Sequence, residues 1–155
     1  QLKECAKPAY RRIWDEWQSD PSLEWRTFRG ETIDVSDATL QSLHPETTYS
    51  ESAWKSQHIN DLSSPMRLRW HGLTLLLGAD ATQRSWPSIA HEFPNLNEHH
   101  ALKIPHHVST KAIDASFGVG NADRLWIGTP YSKGHKLPPK TVCDQCASDF
   151  VTIRT

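Results

Sequence analysis

Several scarcities in this chain bound what it can be. No apolar run approaches the roughly 18 residues that a membrane-spanning helix needs, and no secretory leader pattern is present. Seventeen Lys and Arg against eighteen Asp and Glu leave a formal net charge of -1, so no overall basic field marks it as a nucleic-acid coat. Three cysteines form an odd set, which argues against a disulfide framework and fits a reducing, cytoplasmic compartment. Methionine occurs once, at Met66, and the chain opens on Gln1 and closes on "FVTIRT". Both ends read as cut.

What remains is a globular composition. With 155 residues, 37% of them hydrophobic and seven of them tryptophan, the chain can bury a core as a single domain over 1–155. Nine histidines make metal chemistry worth testing. No internal repeat or low-complexity tract is present.

Residues 1–22 carry a leading helix. Tyr10, Ile13, Trp14 and Trp17 recur at spacings of three and four between Pro8 and Pro21, the pattern of an amphipathic helix. The runs "LEWRTFRG", "ETIDV" and "ATLQSLHP" follow, separated by Gly30 and "SD", and predict an antiparallel meander. "ETTYSESAWKSQHIND" has no period and reads as loop. "MRLRWHGLTLLLGAD" predicts a hairpin: Met66, Leu68 and Trp70 alternate with Arg67 and Arg69, His71-Gly72 turns, and Leu73 to Leu77 forms a buried strand. Then come a helix in "SWPSIAHEF" with Ser85 as N-cap, a strand in "HALKI", a helix in "STKAIDASF" capped by Ser109, and a buried strand in "ADRLWIGT". Strands alternating with helices from Leu73 onward predict a parallel or mixed sheet.

Chemistry in such sheets gathers beyond the carboxyl ends of the strands. Asp80 follows one strand across "GAD", and His106 and His107 follow the next across Pro105. Parallel strands would place both at one rim, where carboxylate and imidazole suit zinc or another divalent metal. Taken singly, each reads more readily as a turn residue or a solvent-facing histidine, and it is their occurrence at successive strand ends that brings the metal reading level.

From Glu24 to Pro138 the chain resembles the C-terminal half of a metallo-β-lactamase-fold hydrolase, of the type found in ComEC-like competence proteins. The family pattern runs "LhP", "NNxSLVLRL", "LLxGD" and "LKxPHHGS". This chain has, in order, "LQSLHP", "NDLSSPMRL", "LLLGAD" and "LKIPHHVS". The resemblance implies an αββα sandwich of which this chain supplies the C-terminal half, a mixed β-sheet with external helices over 23–138. It implies a metal-dependent hydrolase in which two divalent metals, zinc with Mn or Mg as alternatives, activate water, with a phosphodiester as substrate. By position, Asp80 matches the bridging aspartate, His107 the last histidine ligand, and His106 a group facing substrate or supporting the ligands. Asn60 and Ser63 match structural positions tying the hairpin to its neighbour, and His44 a packing residue.

Three departures stand out. Val108 replaces the glycine of "HHGS", Pro65 replaces a β-branched strand residue, and the "HxHxDH" motif that supplies most of the ligands has no counterpart. Since a catalytic zinc takes three protein ligands, this chain alone reads as inactive. Its implied partner is the missing N-terminal half, as a separate chain or fragment, with nucleic acid or a nucleotide as substrate. Alternative readings are an ester or lactone hydrolase on the same site, and a non-catalytic half-fold that binds a partner chain or nucleic acid.

Two further features lie downstream. Cys143 and Cys146 in the 139–155 tail form one CxxC, which reads either as half of a structural zinc site or as two buried or loop cysteines that bind nothing. Tyr131, Ser132, Lys133 and His135 occupy a Pro/Gly-rich loop that, by the resemblance, borders the substrate rim.

Overall fold

The computed structural model describes residues 29–44, 59–112, 114, 124–129 and 150–152, with isolated positions between 12 and 22. Most of the leading helix, the run 23–28, the loop 45–58, the helix expected after Ser109, the rim loop 131–135 and the CxxC pair lie outside the described residues.

The architecture is α+β. Seven strands form one mixed sheet in sequence order: β1 (Thr32–Val35), β2 (Ala38–Ser42), β3 (Met66–Trp70), β4 (Leu73–Leu77), β5 (Ala101–Lys103), β6 (Leu125–Gly128) and β7 (Phe150–Thr152). The first four pair antiparallel and the last four parallel, with β4 in both sets. The expected hairpin and parallel half are therefore present, and of the expected meander the strands in "ETIDV" and "ATLQSLHP" pair antiparallel. β3 starts at Met66, immediately after Pro65, which lacks the N–H a central strand would need. His71 and Gly72 both have positive φ, the pair of left-handed residues that suits a tight hairpin.

The described positions Arg12, Asp15, Glu16 and Ser19 in the expected leading segment are helical, and the helix α1 (Trp86–Glu92) has proline in its first turn. Ser85 precedes it as expected, but its side chain makes no capping bond. Its φ and ψ of -79° and -34° are already helical, whereas a capping serine sits in extended backbone to turn its hydroxyl toward the first free N–H groups. Trp86 and Ile89 on α1 share a core cluster with Leu76, Leu102 and Trp126, which are lateral neighbours across β4, β5 and β6. Burying each such side chain contributes roughly 1.5–3 kcal/mol.

Among the described residues only one sheet face is buried this way, which corrects the expectation that β4 and β6 are buried strands. Leu73 is 52% and Leu125 43% exposed, while Leu76 and Trp126 are sealed. The covered set of β3 is the polar one at its centre. Arg67 lies on the covered face, its guanidinium donating to Gln41 Oε1 at 2.6 Å and standing 5.7 Å from the Phe93 ring centre. The partner faces of Met66 and Leu68 are half-buried, and Trp70 is exposed. Alternation sets the period of a strand; which face the helix covers decides which set is inside.

His99 is buried just before β5, its Nδ1 3.0 Å from the Leu96 carbonyl and its ring edge-on to Trp126. Burial pushes its pKa below the usual imidazole value, Arg124 and His100 add to this, and the Leu96 carbonyl opposes it. The folded state thus favours the neutral ring, and the unfolded chain takes up the proton first as pH falls. This contribution is full above the unfolded pKa of about 6.5 and is lost progressively below it, down to the lowered folded pKa. Urea midpoints measured from pH 8 to 5 should fall for the wild type and fall less for His99→Gln. Parallel profiles would show that His99 titrates alike in both states.

Candidate metal centre

The rim is built where β4 and β5 end side by side. Gly78 N–H donates to the Lys103 carbonyl at 3.0 Å, and His106 N–H donates to the Ala79 carbonyl at 2.9 Å. These two bonds zip the "GAD" turn to the "PHHV" turn. Gly78 is required by contact: a Cβ there would lie 2.4 Å from Cγ of Pro105 and 2.8 Å from the Lys103 carbonyl oxygen. The two turns are pressed backbone to backbone, and the polar groups that follow share one rim.

The "PHHV" turn has unusual backbone. His106, His107 and Val108 have φ of 45°, 52° and 65°, three successive left-handed residues without a glycine. Each costs roughly 1–2 kcal/mol, and a β-branched residue such as Val108 is the least suited. Such strain persists only where surroundings over-determine it. Here each residue has an anchor on a different element. His106 Nε2 meets Asn60 Nδ2 at 3.1 Å, His107 Nδ1 meets the Thr129 carbonyl at 3.0 Å, and Val108 is fully buried in the core cluster.

A test of Val108 follows. Val108→Ala loses buried methyl groups and keeps the positive φ. Val108→Gly loses one carbon more but relieves the strain, against roughly 0.4–1 kcal/mol of added unfolded-chain entropy. Since the extra buried carbon is worth about 0.8 kcal/mol, these opposing effects nearly cancel, and the glycine variant is expected to be about as stable as the alanine variant, where the usual order puts glycine clearly lower. Urea midpoints of the two would read this directly, and the ordinary order would mean that residue 108 is not left-handed.

Asp80 and His107 do come together. Asp80 Oδ1 and His107 Nε2 are 3.9 Å apart, both side chains being about half exposed. The bond to Thr129 fixes the imidazole's chemistry. A carbonyl oxygen only accepts, so Nδ1 carries the proton and the neutral ring leaves the Nε2 lone pair facing Asp80. A backbone carbonyl holding the far ring nitrogen is the usual support of a metal-ligating histidine. Two donors at zinc distances and a tetrahedral angle stand about 3.4 Å apart, so the pair needs only a small side-chain adjustment to share an ion. Without an ion the same pair is a surface contact worth ~0–1 kcal/mol.

The donor chemistry fits a metal, but the donor count does not complete a site. Among the described residues no group of three His, Cys, Asp or Glu side chains converges. Lys103 is the other charged group at this rim. Its Nζ lies 3.4 Å from the Ala79 carbonyl, and burial pushes its pKa down while Asp80 pulls it up.

His106 is not placed as a free, substrate-facing group. Its Nε2 is engaged by Asn60, and its Nδ1 is sealed from solvent with no hydrogen-bond partner. Asn60 accordingly does more than tie the hairpin to its neighbour. Its carbonyl accepts from both the backbone and the hydroxyl of Ser63, which closes the 3-10 turn Ile59–Leu62 and presents the Asn60 amide to the histidine. No periodicity signals this contact. His44 is buried, as expected of a packing residue. No helix among the described residues is long and apolar enough to cross a membrane. No protein-family model, curated protein or solved structure matches the chain.

Proposed function

We propose that this chain is the C-terminal half of a metallo-β-lactamase-type αββα hydrolase, acting in the cytoplasm on a phosphodiester of nucleic acid or a nucleotide. The observation that carries the reading is the Asp80–His107 pair at a shared strand-end rim, with the His107 proton held at Nδ1 by Thr129 and the Nε2 lone pair turned to Asp80. Asp80 and His107 are the residues that would hold divalent metal, two zinc ions in the full site, with Mn or Mg as alternatives. Metal bound there supplies activation of water near neutral pH. Asp80 contributes the negative charge and His107 a neutral donor of fixed orientation. The remaining ligands come from a segment that supplies the opposite half of the sandwich, and the exposed Leu73 and Leu125 lie on the sheet face it would cover.

One observation favours a second reading, a non-catalytic half-fold that binds a partner: only two donors meet among the described residues. The deciding experiment joins the chain to its N-terminal half. The completed protein is assayed with added Zn, Mn or Mg on single-stranded DNA, a cyclic dinucleotide and a lactone. Metal-dependent phosphodiester cleavage is expected. Lactone turnover alone would move the activity to ester chemistry, and no turnover with any metal would favour the binding module.

A further inference from the structure

The adjacent histidines have unlike surroundings, and the difference has a source outside their own turn. Asn60, 46 residues earlier in the chain, reaches His106 with its side-chain amide. The bonds from Ser63 to the Asn60 carbonyl fix the backbone from which that amide projects. On the other side, His106 N–H is bound to Ala79, next to Asp80, and His107 is bound to Thr129 after β6. The left-handed turn is thus suspended between three elements, and Asn60 tethers it by a side-chain contact from the 3-10 turn that precedes β3.

We propose that Asn60 is a positioning residue: by holding His106 Nε2 it keeps the left-handed His106–Val108 turn in place, and so keeps His107 Nδ1 on Thr129 and its Nε2 on Asp80. This rests on the reading of His107 as a ligand only for its purpose, since the tether itself acts on geometry. The backbone couples the two rings directly. If His106 leaves Asn60, the positive φ at His106 loses a restraint, the turn relaxes toward ordinary backbone, and the neighbouring ring is carried off the Thr129 carbonyl. Asn60 itself is exposed, so it adds little buried surface, and its expected influence is on orientation rather than on the core.

The contact also makes a specific statement about protons. An amide nitrogen only donates, so His106 Nε2 accepts and the neutral ring carries its proton on Nδ1. Aspartate at position 60 can only accept while ionised. Asn60→Asp would therefore keep the tether and move the His106 proton from Nδ1 to Nε2, while His107 stays as it was.

The test is ring-nitrogen NMR of the 15N-labelled 155-residue chain, without metal and at a pH where the histidines are neutral. In the wild type, His106 and His107 should each show one tautomer with the proton on Nδ1. In Asn60→Ala and Asn60→Ser, both too short to reach, the His107 signals should move to the averaged pattern of a free imidazole while the amide spectrum remains folded. In Asn60→Asp, His107 should keep the wild-type pattern and His106 should change tautomer. A His107 pattern unchanged in the folded alanine or serine variant would overturn the proposal. So would an averaged His107, or an unchanged His106, in Asn60→Asp, which decides the matter even if the shorter variants fail to fold. Adding zinc to the wild type separates the two readings. Unmoved His107 nitrogen shifts with zinc, in a protein joined to its N-terminal half, would sink the ligand assignment and leave the tether standing.

Discussion

On the proposed reading, Asp80→Ala in a protein completed by an N-terminal half is expected to lower metal-dependent hydrolysis by well over 100-fold. The magnitude follows from position. Groups that merely support metal ligands cost roughly 10–100-fold when removed, and Asp80 is assigned as a ligand. Of the two donors at this rim, His107 can offer a metal only an uncharged Nε2 lone pair, so the carboxylate supplies all the negative charge of the pair. Its loss also leaves Lys103, which the Asp80 charge favours in its cationic form, without that counter-charge at the rim. Asp80→Asn should be nearly as damaging, because it keeps the shape and removes the charge. His106→Ala should fall within the supporting range, since the ring meets Asn60 rather than the space between Asp80 and His107. Turnover and metal content are to be measured together. Near-normal turnover of Asp80→Ala with metal bound would refute the assignment.

Much of what positions this rim could be read along the chain, because it rests on short-range rules. Alternation over 66–70 and 73–77, broken by His71-Gly72, specifies a hairpin. Strand, helix and strand in succession specify a parallel neighbour, and parallel neighbours bring "GAD" and "PHHV" to one end. Less legible was whatever depends on which face is covered. Arg67 is polar by composition, yet Gln41 satisfies its guanidinium and Phe93 covers it, so it sits on the buried side of β3. The left-handed turn was hidden for a related reason. Local preference opposes positive φ at Val108, and the burial of its side chain together with the anchors of His106 and His107 makes that conformation tolerable. The division between His106 and His107 was hidden too, because it is set by Asn60 and Thr129, both distant in sequence.

Gly78→Ala is expected to be the most damaging single-methyl change to the described fold, costing at least 2–3 kcal/mol, about the upper part of the range for overpacking. The new Cβ would stand 2.4 Å and 2.7 Å from two carbons of the Pro105 ring and 2.8 Å from the Lys103 carbonyl oxygen. Neither neighbour can give easily. Pro105 is buried and its ring is stiff, and the Lys103 oxygen is held by the Gly78 N–H itself. Relief requires β5 to move away from β4 at the end where the two turns meet. That movement breaks the Gly78–Lys103 bond, strains the Ala79–His106 bond, and draws His107 away from Asp80. Stability and site geometry should therefore fail together. Urea unfolding reports the first, and the His107 ring-nitrogen pattern reports the second. A variant with wild-type stability, or one destabilised with His107 still bound to Thr129, would mean that the two turns are not in the close contact from which the rim is built.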